Sequence, residues 1–186
     1  MACHDPTRSR FAGLIVSAEA IAGATIRAIV DVSHCYAAGI DRRDWAMYAE
    51  CFTDPCDFDF SSFSGRPAAS LPRSVWVDNV RRTNGSFDAT QHQMTNQMVT
   101  METPARATCI TELRAQHWFS PATMERLGHP GDVNFCELGG HYTNVLVVDE
   151  GRWRITECRL TVRWQTGSMA IFDLARAIGA GNLSKD

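Results

Sequence analysis

Apolar residues recur every three or four positions between 17 and 38. Ile21, Ala24, Ile26, Ala28, Ile29, Val32 and Tyr36 share one stripe, which predicts a long amphipathic helix. Ser17, with Glu19 and Ala20, supplies its start. Gly39 supplies a stop, because glycine takes the left-handed closing conformation cheaply. Asp41-Arg42-Arg43-Asp44 opens a short second helix through about residue 51 that buries Trp45, Tyr48 and Phe52, and Thr53-Asp54-Pro55 breaks it. Residues 56–61 alternate apolar and polar, as a half-buried strand does. Residues 64–69 read as loop, 71–82 as a third amphipathic helix through Val75, Trp76, Asn79 and Val80, and 83–87 as a turn.

Beyond residue 90 the period changes to two. Segments 92–100, 106–119, 137–149 and 152–165 predict four strands. They are joined by Thr103-Pro104, by a long Pro/Gly-containing loop over 120–134, and by a tight Glu150-Gly151 turn that marks a hairpin. The 120–134 loop is long for a compact domain, which favours a lid over a surface excursion. Residues 170–178 predict a terminal helix. The expected division is a leading arm over 1–16, one domain over 17–178 and a polar tail over 179–186. Helices gathered first and antiparallel strands afterwards predict an α+β fold, with the helices packed on one side of a curved sheet.

Composition narrows the classes of function. With 186 residues, 45% hydrophobic and 21% charged, the chain has the make-up of a single domain with a sizeable core. A net charge of −3 without a basic cluster longer than a pair argues against a nucleic-acid partner. No apolar run approaches the roughly 20 residues that span a bilayer, so no membrane partner is expected. The apolar stretch over 11–16 falls short of the roughly 7–15 residues of a secretory signal core, which points to the cytoplasm. Seven cysteines with no Cys-x-x-Cys predict buried free thiols in a reducing compartment. No paired Cys/His spacing suggests a metal.

Candidate chemistry lies in two stretches, residues 36–45 and 90–96. Asp41 has two readings: a helix N-cap with Asp44 three residues on, or a carboxylate partner for an imidazole. Asp44 suits the capping task better, from the first turn near the positive end of the helix dipole. His92 shares a strand face with Met94, Asn96 and Met98, the more apolar face, and so points inward. His117 lies towards the end of the alternating set Ala107, Cys109, Leu113, Ala115, His117 and Phe119, broken only by Thr111, and points inward too. Either histidine could be a satisfied core residue, and Tyr36, on the buried stripe, could be plain core. If the fold brings Asp41 against His92, the pair could move protons near neutral pH.

Three stretches together carry a family resemblance: Tyr36 with Asp41-x-x-Asp44-Trp45, Thr90-x-His92-x-x-x-Asn96, and the hairpin Gly140-His141-Tyr142…Gly151-Arg152-Trp153-Arg154-Ile155. In order and spacing they resemble the SnoaL-like, scytalone-dehydratase-like branch of the nuclear-transport-factor-like superfamily, across 18–164. The resemblance implies a cone-shaped α+β barrel whose curved, mostly antiparallel sheet encloses an apolar pocket. It also implies a cofactor-independent dehydratase, isomerase or cyclase acting on a small hydrophobic polyketide-, terpenoid- or steroid-like metabolite. The 51-residue spacing of Asp41 and His92 is close to that of the dehydratases' pair. By the same resemblance His117 matches a second catalytic histidine that would protonate the leaving oxygen, and Tyr36 would stabilise an enolate. Asn96, Tyr142, Asn144 and Arg159 are weaker candidates for polar lining, and the strand parity around Arg159 is ambiguous. A homodimer or homotrimer is expected. The alternative is a non-catalytic ligand-binding or small subunit of a larger complex, like the dioxygenase small subunits of the same superfamily.

Overall fold

The computed structural model describes residues 18–185. The expected arm over 1–16, the helix start at Ser17, Cys3 and His4 lie outside the described residues. The elements run α1 (Ala18–Asp41), α2 (Trp45–Ala49), β1 (Phe52–Asp59), α3 (Ser61–Ser64), β2 (Ala69–Leu71), α4 (Arg73–Asn84), β3 (Ala89–Thr103), β4 (Arg106–Trp118), α5 (Pro121–Arg126), β5 (Phe135–Asp149), β6 (Arg152–Gly167) and α6 (Ala170–Gly179).

The strands form one sheet in the order β2-β1-β6-β5-β4-β3. Every pairing is antiparallel except β1 with β6. The sheet curls around its inner face without closing, with β2 and β3 at its edges, and α1 packs across the inner face against β3, β4 and β6. This is the α+β cone expected, with a mixed and open sheet. Inward residues of β4, β5, β6 and β1 meet Ile29, Tyr36 and Ile40 of α1 in the main core. A second cluster, Phe87, Phe119, Met124, Cys136, Ile171, Phe172 and Ala175, packs α5 and α6 beside it. Cys51, Cys56, Cys109, Cys136 and Cys158 are buried free thiols, whereas Cys35 is exposed.

Several local expectations are corrected. Gly39 does not stop α1; the helix continues through it to Asp41. A Cβ at Gly39 would lie 2.9 Å from the backbone of Tyr48, so the glycine is there to let α2 approach. The Thr53-Asp54-Pro55 break falls inside β1, where pairing with β6 shifts register between Phe52 and Asp57 and accommodates the proline. The loop expected over 64–69 contains the end of α3 and the first residue of β2. The 120–134 loop holds α5, capped by the Ser120 side chain, with Thr123 and Met124 buried.

Two strands carry irregularities that alternation alone does not reveal. In β3 the register shifts between Thr95 and Met98, and Asn96 takes a left-handed φ of 52°. The extra residue reverses parity, so Met98, assigned inward from the pattern, is 59% exposed. In β6, register shifts opposite Gly139/Gly140 and Val145/Leu146 reverse the inward set twice, which explains the ambiguous pattern around Arg159.

Gly39 provides a test of sign. Helix propensity alone predicts that Gly39→Ala stabilises the protein by about 1 kcal/mol. The contact with Tyr48 predicts instead a loss of roughly 1–3 kcal/mol as α1 and α2 are forced apart. Urea unfolding of the two proteins distinguishes them, and a raised midpoint in the variant would contradict the packing argument.

Candidate active site

The site is built where α1 ends. Arg42 N–H still donates to Ala38 C=O at 2.9 Å, and Arg43 N–H to Ile40 C=O at 3.1 Å. Arg43 then adopts φ 60°, the left-handed closing conformation usually given to glycine, at an intrinsic cost of roughly 1–2 kcal/mol. Its guanidinium offsets that cost. Nη1 donates to Ile40 C=O and to Thr90 Oγ1, both at 2.8 Å, and Nη2 donates to Phe87 C=O at 3.2 Å. The chain turns away and Asp44 caps α2, accepting Met47 N–H at 2.9 Å. Asp41 is left with its carboxylate facing the first residues of β3.

Three hydrogen bonds hold that carboxylate. Oδ2 accepts the His92 backbone N–H at 2.7 Å. Oδ1 accepts the Thr90 hydroxyl at 3.0 Å and lies 2.7 Å from His92 Nδ1. Burial opposes the charge on Asp41, but hydrogen bonds from the His92 ring, the attraction of that ring's positive form, the His92 N–H and Thr90 outweigh it. The carboxyl stays below its ordinary range. An ionised carboxylate can only accept, so it fixes the proton of neutral His92 on Nδ1 and leaves Nε2 as the basic nitrogen.

His92 and His117 become neighbours through strand register. His92 pairs with Ala115 and Thr90 with His117, so the histidines are diagonal on one face. Their rings lie 5.4 Å apart, nearly perpendicular. The His92 side chain is 6% exposed and His117 is 4% exposed. His117 packs against Phe87 and Phe172. Burial pushes its imidazole well below the ordinary pKa. His92 and Arg43 push the same way and Asp41 opposes them, so His117 is neutral at pH 7.

The other candidates lie apart from this trio. Tyr36 donates to the Tyr142 hydroxyl at 3.1 Å within an aromatic cluster that includes Tyr48 and Phe52. Burial, reinforced by Tyr142, raises its pKa well above the ordinary phenol value. Asn144 faces the interior two residues further along β5, and its Oδ1 is buried with no hydrogen-bond partner. Asn96 sits at the β3 bulge with its side chain exposed, which places it outside the interior lining expected for it. Arg159 is likewise outside. It pairs with Asp59 at 3.1 Å and lines an outer cleft of about 490 Å³ with Asp57, Glu157 and Thr143.

Residues 24–159 match the SnoaL-like domain family. The chain belongs to the SnoaL-like family. Among solved structures it is similar to the Kfla4162 protein of Kribbella flavida, at 29% identity and a TM-score of 0.72, over 84% of this chain and 99% of that one. A candidate scytalone dehydratase of Novosphingobium aromaticivorans shares 18% identity and a TM-score of 0.65, over 79% and 89%. Hexachlorocyclohexane dehydrochlorinase LinA-type3 of Novosphingobium barchaimii shares 14% identity and a TM-score of 0.63, over 80% and 92%. These last two likenesses are of fold. No curated protein sequence matches the chain. No helix among the described residues of this SnoaL-like chain is long and apolar enough to cross a membrane.

Four further residues of this SnoaL-like chain surround the candidate trio. Thr90 and Arg43 stood inside the quoted motifs, and two hydrogen-bonding side chains flanking the Asp/His pair were the available signal. Asn84, whose Oδ1 lies 3.1 Å from His117 Nε2, and Phe172 come from α4 and α6, where nothing in the local pattern points to a site.

The buried His117 has a consequence for stability. Its folded pKa lies below its unfolded one, so the unfolded chain takes up the proton first as pH falls. Its contribution is complete above about pH 6.5 and is lost as pH drops from there toward the depressed folded value. Urea titrations should show stability falling as the pH drops below about 6.5 in the wild type, and less steeply in His117→Asn. Equal slopes in the two proteins would rule out this account.

Proposed function

We propose that the protein is a cofactor-independent lyase that removes water from a small hydrophobic, cyclic polyketide-, terpenoid- or steroid-like metabolite. The observation that carries this reading is the Asp41–His92 hydrogen bond, which leaves a basic His92 Nε2 next to a second buried imidazole with aromatic walls. The solved relatives named for dehydration and dehydrochlorination support elimination as the reaction class, since each name describes loss of a small molecule from adjacent carbons.

His92 Nε2 takes the proton from the carbon next to a substrate carbonyl, and Asp41 stabilises the imidazolium that forms. The electron pair of that C–H bond moves into an enolate. The Tyr36–Tyr142 pair keeps one hydroxyl hydrogen beyond its internal bond to offer the enolate oxygen. Collapse of the enolate forms the C=C bond and breaks the bond to the β-hydroxyl. The departing oxygen takes the proton back from His92 and leaves as water. This replaces the acid role expected for His117, because a ring held neutral by burial carries no extra proton to give. Isomerisation or ring closure would use the same groups with a different substrate pose.

A purely binding subunit has no use for a carboxylate spent on orienting a buried imidazole, which favours the enzyme reading over the partner reading. The test pairs turnover of cyclic β-hydroxy ketones with deuterium exchange from solvent at the carbon beside the carbonyl. His92→Ala should lower both by about 10²–10⁴-fold while circular dichroism stays unchanged. A folded His92→Ala protein of full activity would end this assignment.

A further inference from the structure

His117 differs from His92 in what holds it. His92 meets a carboxylate, whereas the Nε2 of His117 lies 3.1 Å from the side-chain oxygen of Asn84, at the last residue of α4. An amide oxygen can only accept, so the bond requires a proton on Nε2. The other ring nitrogen, Nδ1, is then a bare lone pair. It is buried and has no hydrogen-bond partner. The Cys136 backbone, on the neighbouring strand, approaches the ring and favours its protonation, but no hydrogen bond of full geometry reaches Nδ1.

We propose that Asn84 is a positioning residue that holds His117 as the Nε2–H tautomer, leaving Nδ1 as the acceptor for a hydroxyl group of the substrate. The inference deepens the elimination reading and rests on it for the identity of that hydroxyl. An unpaired buried acceptor destabilises a folded protein, so a ligand donor placed there gains a bond without displacing an existing partner. The choice of an amide over a carboxylate fits the role. Asp in place of Asn84 would hold the ring as imidazolium, whose Nδ1–H repels a hydroxyl hydrogen. The groups that set the charge at His117 come from each packed element: Asp41 at the end of α1 and Arg43 just beyond it, His92 from β3, Cys136 from β5, and the uncharged Phe172 from α6.

Nitrogen-15 NMR of histidine-labelled protein tests this without substrate. Wild-type His117 should show a protonated Nε2 and an unprotonated Nδ1 that persist as the pH falls below the ordinary imidazole value of about 6.5. Asn84→Leu should release the ring, giving a mixture of tautomers. Asn84→Asp should raise the pH at which His117 titrates by about 1–3 units. Phenol, a ring with one donor, should move the Nδ1 resonance, and anisole, which has none, should not. A wild-type proton on Nδ1, an unchanged tautomer in Asn84→Leu, or any other response to phenol and anisole would overturn the proposal. The spectra can fail while His92→Ala still abolishes turnover, and the reverse, so the two readings are separable.

Discussion

The carboxylate of Asp41 joins the end of the longest helix to the start of an edge strand. Its two oxygens accept the backbone N–H and ring of His92 and the hydroxyl of Thr90, so they fix the strand's position as well as a side chain's orientation. Hydrogen bonds to a charged group contribute about 1.5–3 kcal/mol each, enough to retain the charge of a partly buried carboxylate. Arg43 completes the arrangement by gripping Thr90 and the Phe87 carbonyl from the other side. Remove the carboxylate and the guanidinium loses its nearby counter-charge, while the histidine loses the group that selects its tautomer.

From that anchor the two histidines acquire different characters. They are diagonal neighbours on one sheet face and both nearly inaccessible. One has an anionic partner and the other has an amide and phenyl rings. Under the proposed mechanism, two identical side chains a few ångströms apart thereby divide into a proton-transfer group and a neutral hydrogen-bonding group. The difference comes from environment, since the same imidazole meets a carboxylate in one place and an amide with apolar rings in the other. Buried Arg154 plays a structural part at the far end of the hairpin, where it binds Asp149, Glu150 and Glu50 and ties the β5–β6 turn to α2.

Much of this was legible along the chain. The alternation of β4 placed Ala107, Cys109, Leu113, Ala115, His117 and Phe119 inward, and all are buried. The order of helices and strands led to an α+β fold, and the spacing of Asp41 and His92 singled out two residues that lie 2.7 Å apart. The failures have specific causes. Asn96 and Met98 were misplaced because a bulge reverses parity without marking the hydrophobic pattern. Arg159 resisted assignment because β6 carries two such shifts. Gly39 reads as a helix stop in the sequence because its contact, the backbone of Tyr48, belongs to another helix.

The sequence by itself determined the periodicities, hence the number and type of the major elements, and it marked polar residues on apolar faces as candidates for chemistry. These follow from local backbone geometry, in which each side chain's direction depends on a few neighbours. Only the tertiary structure decided which candidates meet. It turned Arg43 into a clamp, brought Asn84 from α4 and Phe172 from α6 onto His117, committed Tyr36 to Tyr142, and put Arg159 outside. Those outcomes depend on strand register and the docking of separate elements. They are set by contacts between residues dozens of positions apart, which leave no periodic trace in either segment.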